Sequence, residues 1–256
     1  MQYVFLSHDV DWRKNGPSLE HIMARKDRFS PEIINELPQK NPYYNIPEYM
    51  EIEEKYDTKS TFFFRTFYED GNFLDYEDEI KNLINGGWEI GLHLDPSSIN
   101  DLNKIMEEKT NLESITKSPI FGNRVHYLGY NDDLPLKLSK LGFFYDSTVR
   151  KSKNIIDENE MGFHKFNGII EFPITIMDAY LFTYMHITED KIISVFDKTL
   201  EISRNMNPEF NIITIIWHDN VLKMKGGRMY REILEFLRSQ RDVEICRGID
   251  LVSMVR

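Results

Sequence analysis

The chain of 256 residues has almost no cysteine and no long apolar run. Cys246 is its only cysteine, so no disulfide can form within the chain, which fits a reducing compartment. No apolar run approaches the roughly 20 residues that a transmembrane helix needs. The first residues, MQYVFLSHDVDW, have neither a basic start nor a long apolar stretch, so we expect no signal peptide. The simplest interpretation is a cytoplasmic protein without a membrane span.

Basic residues are fewer than acidic ones, and two common catalytic motifs are absent. The 31 lysines and arginines face 42 acidic residues, which leaves a net charge of −11. Nucleic acids and anionic membranes repel such a protein, so we expect no nucleic-acid partner. The sequence contains no Gly-x-Ser-x-Gly elbow and no Walker motif, which disfavours serine-nucleophile hydrolases and P-loop enzymes. Cys246 falls in a late apolar strand and is expected to pack rather than react.

Short apolar runs rich in β-formers alternate with helical patterns along the chain. This order predicts an α/β fold in which helices connect parallel strands. No internal repeat or low-complexity linker is present, so we expect one domain over residues 1–256. The predicted strands are 3–7, 60–65, 88–93, 120–123, 143–146, 169–174, 212–218 and 244–246. The predicted helices are 47–56, 76–85, 100–115, 135–141, 190–205 and 228–238.

Acid, imidazole and guanidinium groups follow four of the predicted strands. In barrel enzymes the carboxyl ends of the strands carry the working residues. The polar groups at these four strand ends are Asp9 and Asp11, then His93, then Arg124 and His126, and finally His218 and Asp219.

Asp9 and Asp11 flank Val10, so their side chains start on the same face of the first strand. Two carboxylates at one strand end repel each other unless a cation or a proton lies between them. A metal ion would resolve this, with one carboxylate as ligand and the other free as a base. An Asp-x-Asp pair alone is more often a turn or cap, and a lone His93 is more often a core histidine. The metal hypothesis therefore depends on the whole set of strand-end residues.

The ordered motifs resemble those of polysaccharide deacetylases, the carbohydrate esterase family 4 of NodB-homology type. The resemblance covers nearly the whole chain and is carried by Asp9-x-Asp11, Ser60-Thr61-Phe62-Phe63, His93, Arg124, Tyr145-Asp146-Ser147 and His218. It implies a distorted, incomplete (β/α) barrel of about seven parallel strands. It also implies a metal-dependent hydrolase that removes N- or O-acetyl groups from sugars.

The resemblance also implies catalytic roles for four residues. Asp9 resembles the general base, and Arg124 resembles the arginine that pairs with this base and holds it. His218 resembles the general acid that protonates the leaving amine. Asp146 resembles the carboxylate that orients this histidine.

The implied metal site departs from the family at one position. Asp11 and His93 resemble two metal ligands, but the second histidine, expected four residues after His93, is Ser97 here. A serine hydroxyl is a poor zinc ligand, and catalytic zinc sites usually have three protein ligands. His126 is the first substitute and Asp95 the second, although His126 also reads as an ordinary histidine lining the pocket. Zinc is the expected ion, while iron, nickel and cobalt remain open.

Residues 12–46, rich in charge, proline and tyrosine, interrupt the alternation of strands and helices. This insertion follows the first strand and would overhang the barrel mouth, either as a solvated connection or as a lid that grips substrate. Trp12, Tyr43 and Tyr44 offer surfaces on which a sugar could stack. We assign Trp12, Tyr127 and Asp219 to substrate binding. The Tyr127 backbone N–H is also a candidate hydrogen-bond donor to the oxyanion.

The resulting hypothesis is a metal-dependent deacetylase or amidohydrolase acting on carbon–nitrogen bonds other than peptide bonds. A cytoplasmic location favours a nucleotide-linked or lipid-linked sugar, in surface-polysaccharide biosynthesis. One alternative is a non-catalytic glycan-binding pseudo-enzyme that has lost its metal, with Ser97 as the mark of that loss. The other alternative is an amidase that acts on a non-sugar amide.

Overall fold

The computed structural model describes residues 1–37 and 39–256. Within them the strands are β1 Gln2–Val10, β2 Thr61–Phe64, β3 Glu89–Leu94, β4 Gly122–Val125, β5 Tyr145–Asp146, β6 His164–Phe166, β7 Ile169–Glu171, β8 Ile174–Met177, β9 Asn211–Ile216 and β10 Val243–Cys246. The helices are α1 Leu19–Met23, α2 Pro31–Asn35, α3 Ile46–Lys55, α4 Glu77–Asn85, α5 Leu102–Thr116, α6 Leu134–Lys140, α7 Asp178–Thr183, α8 Glu189–Met206, α9 Tyr230–Ser239 and α10 Gly248–Val255. No helix in the described part of the chain is long and apolar enough to cross a membrane.

The strands form one sheet in the order β6-β7-β5-β4-β3-β2-β1-β9-β8, with β10 also paired to β1. Every pairing is parallel except the one between β6 and β7. The predicted incomplete α/β barrel is confirmed, although the sheet has more strands than the expected seven. The predicted strand 169–174 is wrong as a single strand. It divides at Phe172 and Pro173 into β7 beside β5 and β8 beside β9, and these two strands lie near opposite ends of the sheet.

Successive side chains of β1 point alternately to the surrounding helices and to the barrel interior. Val4, Leu6 and Val10 pack in the large cluster shared with the surrounding helices. Phe5 belongs instead to the cluster that fills the barrel, where it meets Tyr145 and Phe172 edge to face. Because side chains alternate between the two faces of a strand, Ser7 and Asp9 follow Phe5 on the inward face. The barrel interior is therefore aromatic at its base and charged at its mouth.

Helix α10, which the sequence analysis did not predict, closes the opposite end of the barrel. Its Leu251, Val252 and Val255 join the interior aromatic cluster. Its first residues bond to the starts of two strands: Gly248 N–H donates to Thr61 Oγ1, and Ile249 N–H donates to Glu89 Oε2. This end is thus sealed by apolar packing, whereas cavities open at the carboxyl ends of the strands.

The insertion 12–46 folds onto the barrel mouth through a small core of its own. Ile22, Phe29 and Tyr43 are buried together with Met224 of the segment after β9. A backbone bond from Lys225 N–H to the Arg28 carbonyl, 2.7 Å long, ties the same two segments together. The insertion is therefore anchored to the barrel at this contact.

Candidate active site

Asp9 and Arg124 form a buried ion pair at the centre of the barrel mouth. Arg124 Nη1 donates to Asp9 Oδ1 at 2.7 Å and to Ser7 Oγ at 2.9 Å. Ser147 holds the rest of the guanidinium, since its carbonyl accepts from Nε and its hydroxyl from Nη2. Burial alone would raise the pKa of Asp9, but the Arg124 guanidinium holds this pKa below its ordinary value. Asp9 is therefore an oriented, ionised carboxylate.

Asp11, His93 and His126 converge on one point beside Asp9. Asp11 Oδ1 lies 3.1 Å from His93 Nε2 and 3.2 Å from His126 Nδ1, and these two nitrogens are 3.2 Å apart. One donor atom from each residue lies within 4.8 Å of the others. A carboxylate and two imidazoles match the ligand number and types of catalytic zinc sites, which keep a fourth position open. The residues therefore fit a divalent metal ion, with His126 as the third ligand.

The protonation states of these residues also fit a metal. His93 Nδ1 lies 3.0 Å from the Arg124 carbonyl, which would accept a hydrogen bond from Nδ1–H when Nε2 serves as the ligand atom. Burial lowers the pKa of His126, so its ring is neutral at pH 7. Burial would raise the pKa of Asp11, but the charge of His218 and hydrogen bonds with His126 and His93 hold it well below its ordinary range. A carboxylate and neutral imidazoles are the forms that bind metals.

His218 lies across the site from the ion pair of Asp9 and Arg124, and Asp178 orients it. Asp178 Oδ1 is 2.6 Å from His218 Nδ1, and the other carboxylate oxygen accepts from the His218 backbone N–H at 2.7 Å. His218 Nε2 faces the site, 3.7 Å from Asp11 Oδ2. Burial would lower the pKa of His218, but the Asp178 and Asp11 carboxylates raise it to about 10. His218 is therefore a protonated imidazole at neutral pH.

The expectation that Asp146 orients His218 is wrong. Asp146 is fully buried, and its Oδ1 accepts from Asn123 Nδ2 and Thr148 Oγ1. Burial raises its pKa, and burial with the Asp146 charge raises the pKa of Glu171 well above its ordinary value. Asp146 thus belongs to a buried polar group that supports the loop carrying Ser147. The carboxylate that orients His218 is Asp178, directly after β8, a strand of which the predicted strand 169–174 contained only the first residue.

The predicted substrate-binding residues have different environments. Tyr127 is 85% exposed at the mouth, and its ring lies against His126 in a tilted arrangement with ring centroids 3.8 Å apart. Trp12 is partly buried and lines the cleft. The structure contradicts a substrate contact for Asp219, because its side chain is fully buried and burial raises its pKa well above the ordinary value. Tyr44 also lies away from the cleft, where its hydroxyl donates to Glu79.

Arg65, which the sequence analysis did not assign to the site, explains why Asp95 is not a ligand. Arg65 follows β2, and its Nη1 donates to the Asp11 carbonyl at 3.3 Å. Its Nη2 donates to Asp95 Oδ2 at 3.3 Å, while Asp95 Oδ1 accepts from Ser97 N–H at 2.9 Å. Ser97 and Asp95 line a different cavity from the one that contains Asp11. The position of Arg65 directly after the apolar run TFFF, at a strand end, was the sequence signal that could have assigned it to the site.

Two cavities, of about 570 and 680 Å³, meet above these residues. Both are lined by Asp11, Trp12 and His21, so they are two parts of one cleft. His126 and Tyr127 line the smaller part, which we call the histidine-ligand side. His218 lines the larger part, which we call the acid side. The insertion 12–46 contributes wall residues to both parts.

Comparison with known proteins gives a match at the level of three-dimensional structure alone. No family model and no curated protein sequence matches the chain. A protein assigned as a polysaccharide deacetylase from Mycobacterium smegmatis is 20% identical with a TM-score of 0.69, over 100% of this chain and 90% of that one. One from Pseudomonas aeruginosa PAO1 is 11% identical, with a TM-score of 0.70 over 98% and 90%. The PuuE allantoinase is 14% identical, with a TM-score of 0.67 over 98% and 89%.

These likenesses define the class of fold. The chain has the distorted barrel of the polysaccharide deacetylases, which the ordered strand-end motifs had predicted. At identities of 20% and below, the likeness extends to the fold and not to the reaction. The reaction has to be argued from the side chains at the barrel mouth.

Proposed function

We propose that this protein is a metal-dependent hydrolase that removes an N-acetyl or related acyl group from a sugar. The observation that carries the proposal is a three-residue metal-ligand set placed between an ionised, oriented carboxylate and a protonated, oriented imidazole. Hydrolysis of an amide needs a base on one side of the carbonyl and an acid on the other. A setting in surface-polysaccharide biosynthesis belongs to the same proposal and rests on the resemblance to polysaccharide deacetylases alone.

Asp9 serves as the base that accepts the proton of the attacking water. Arg124 holds this carboxylate in place through the 2.7 Å bond and keeps it ionised. The same ion pair makes Asp9 a weak base, so the water must be acidified for the transfer to be efficient. A divalent ion held by Asp11, His93 and His126 would supply that acidification, lowering the pKa of water from about 15.7 towards about 7, and would polarise the acyl carbonyl.

His218 delivers the proton that the leaving amine requires. An amine anion is too basic to leave, so the nitrogen must be protonated as the carbon–nitrogen bond breaks. Asp178 keeps the Nδ1 proton in place and directs Nε2–H towards the cleft. The Tyr127 backbone N–H is our candidate for stabilising the oxyanion that forms at the carbonyl.

The test is acetate release from an N-acetylated sugar by protein stripped with a chelator and then reloaded with zinc or cobalt. We expect release from the reloaded protein only, and none from a reloaded Asp9→Asn variant. Asp197→Asn, an exposed carboxylate on α8, is the matched control and should retain full activity.

Four outcomes would overturn parts of the proposal. Release that survives chelation would exclude a metal role. Equal release by Asp9→Asn would exclude Asp9 as the base. Hydrolysis of allantoin without any release from sugars would favour a non-sugar amidase, and sugar binding by the reloaded protein without hydrolysis would favour a pseudo-enzyme.

A further inference from the structure

The acid side of the cleft identifies where the amine product lies. His218 lines this part, and His126 and Tyr127 line the other. Because the general acid must reach the leaving nitrogen, the sugar that carries this nitrogen occupies the acid side. This step rests on the proposed function. The lining of that cavity then describes the rest of the leaving group.

Three cationic side chains line the acid side, namely Arg25, Arg28 and Lys225. None of them forms an ion pair with a residue that the structure describes. By contrast, Arg13 and Arg65 on the histidine-ligand side are paired with Asp70 and Asp95. Arg25 donates to the His21 carbonyl, and the charge of Lys225 helps to lower the pKa of Glu189, which is itself paired with Arg228. Three cations without an ion-pair partner around one cavity are notable in a chain whose net charge is −11.

The three cations are held in one group by the fold. Arg25 and Arg28 belong to the insertion and Lys225 to the segment after β9, and the bond from Lys225 N–H to the Arg28 carbonyl joins the two. The one carboxylate of the cavity lining outside the metal-ligand set is Asp27, so positive charge remains in excess. The positive charge also acts on His21, because burial and the charges of Arg25 and Arg28 lower the pKa of this histidine.

We propose that the substrate is a sugar bearing a phosphate ester, whose phosphate binds between Arg25, Arg28 and Lys225. Guanidinium groups bind phosphate oxygens in a bidentate fashion, and lysine adds a point charge. A cavity of about 680 Å³ has room for a sugar and its phosphate together. A nucleotide-linked sugar and a lipid-linked sugar would both present this group.

The test measures binding of N-acetylglucosamine 1-phosphate and of neutral N-acetylglucosamine to zinc-loaded protein at low salt, where exposed charges are least screened. We expect wild-type protein to bind the phosphate ester at least about tenfold more tightly. Arg28→Gln and Lys225→Gln should each reduce the affinity for the phosphate ester about fivefold to tenfold. Neither variant should change the affinity for the neutral sugar. Arg231→Gln, an exposed arginine on α9 outside the cleft, is the matched control and should change neither value.

Equal affinity of wild-type protein for the two sugars, or equal losses in all three variants, would overturn the proposal. Failure of the proposed function gives a different result, in which the phosphate preference persists but no acetate is released from either sugar. Two more probes distinguish the sources of the phosphate. Tighter binding of uridine diphosphate indicates a nucleotide-linked substrate, and tighter binding of farnesyl phosphate in detergent indicates a lipid-linked one.

Discussion

Asp178 controls the proton on His218, and replacing it with asparagine tests this link. Asp178 is fully buried and lies 2.6 Å from His218 Nδ1. Burial lowers the pKa of His218, but Asp178 and Asp11 outweigh burial and raise it from 6.5 to about 10. Asparagine keeps the shape of the side chain and removes the charge that is hydrogen-bonded to the ring. It also leaves a single acceptor oxygen for three donors, namely the His218 ring, the His218 backbone N–H and the Ala179 N–H.

The magnitude follows from the charge separation. Two unit charges about 4 Å apart attract each other by about 4 kcal/mol at an effective dielectric constant of about 20, and one pKa unit corresponds to about 1.36 kcal/mol. Asp178→Asn should therefore lower the pKa of His218 by about 2 to 3 units. An acid works only while it is protonated, so activity is present below this pKa and lost as the pH rises through it. The alkaline limb of the variant should move to lower pH by the same amount.

Ring nitrogen chemical shifts of His218, followed by NMR from about pH 6 to about pH 11, measure this pKa without any substrate. The pH dependence of acetate release provides the second readout. Asp146→Asn is the matched control, because it removes a buried carboxylate that does not contact His218. An unchanged His218 pKa in Asp178→Asn, or an equal shift in Asp146→Asn, would refute the reasoning.

Three further predictions concern the metal site and the core. Asp9→Asn should abolish turnover and leave metal affinity unchanged, whereas Asp11→Asn should weaken metal binding at least about tenfold in a zinc titration. Equal losses of metal affinity in the two variants would contradict this division of roles. His126→Ala should lose metal more severely than Asp95→Ala in the same titration, and the reverse order would contradict a third ligand at His126. Phe172→Ala, which empties a fully buried position between β7 and β8, should lower the free energy of unfolding by about 3 to 5 kcal/mol in urea denaturation, and a loss below about 1 kcal/mol would contradict its role in the barrel core.

Most of the site could be predicted because period-two alternation and strand ends are local properties of the sequence. The pattern Asp9-Val10-Asp11 directs both carboxylates to the barrel mouth, and His93 and Arg124 follow at paired positions of the neighbouring strands β3 and β4. The hypothesis that His126 replaces the family's second histidine could be made from one fact, that His126 directly follows the strand β4 in the sequence. The structure brings it to 3.2 Å from Asp11.

The role of Asp178 could not be predicted because it depends on where one apolar run divides. The sequence predicted one strand over residues 169–174, and only the pairing of β7 with β5 and of β8 with β9 shows that the run divides and continues to Met177. Once the run is divided, Asp178 becomes a strand-end residue like the others. The burial of Asp219 is equally non-local, since it directly follows His218, which lines the cleft, and yet its own side chain is fully buried.

Anomalous scattering from crystals grown with zinc tests the central claim most directly. We predict one strong peak about 2.0 to 2.2 Å from a carboxylate oxygen of Asp11 and from His93 Nε2 and His126 Nδ1. No peak within about 2.5 Å of these atoms, or a zinc ion held elsewhere in the chain, would contradict the account of a metal-dependent hydrolase.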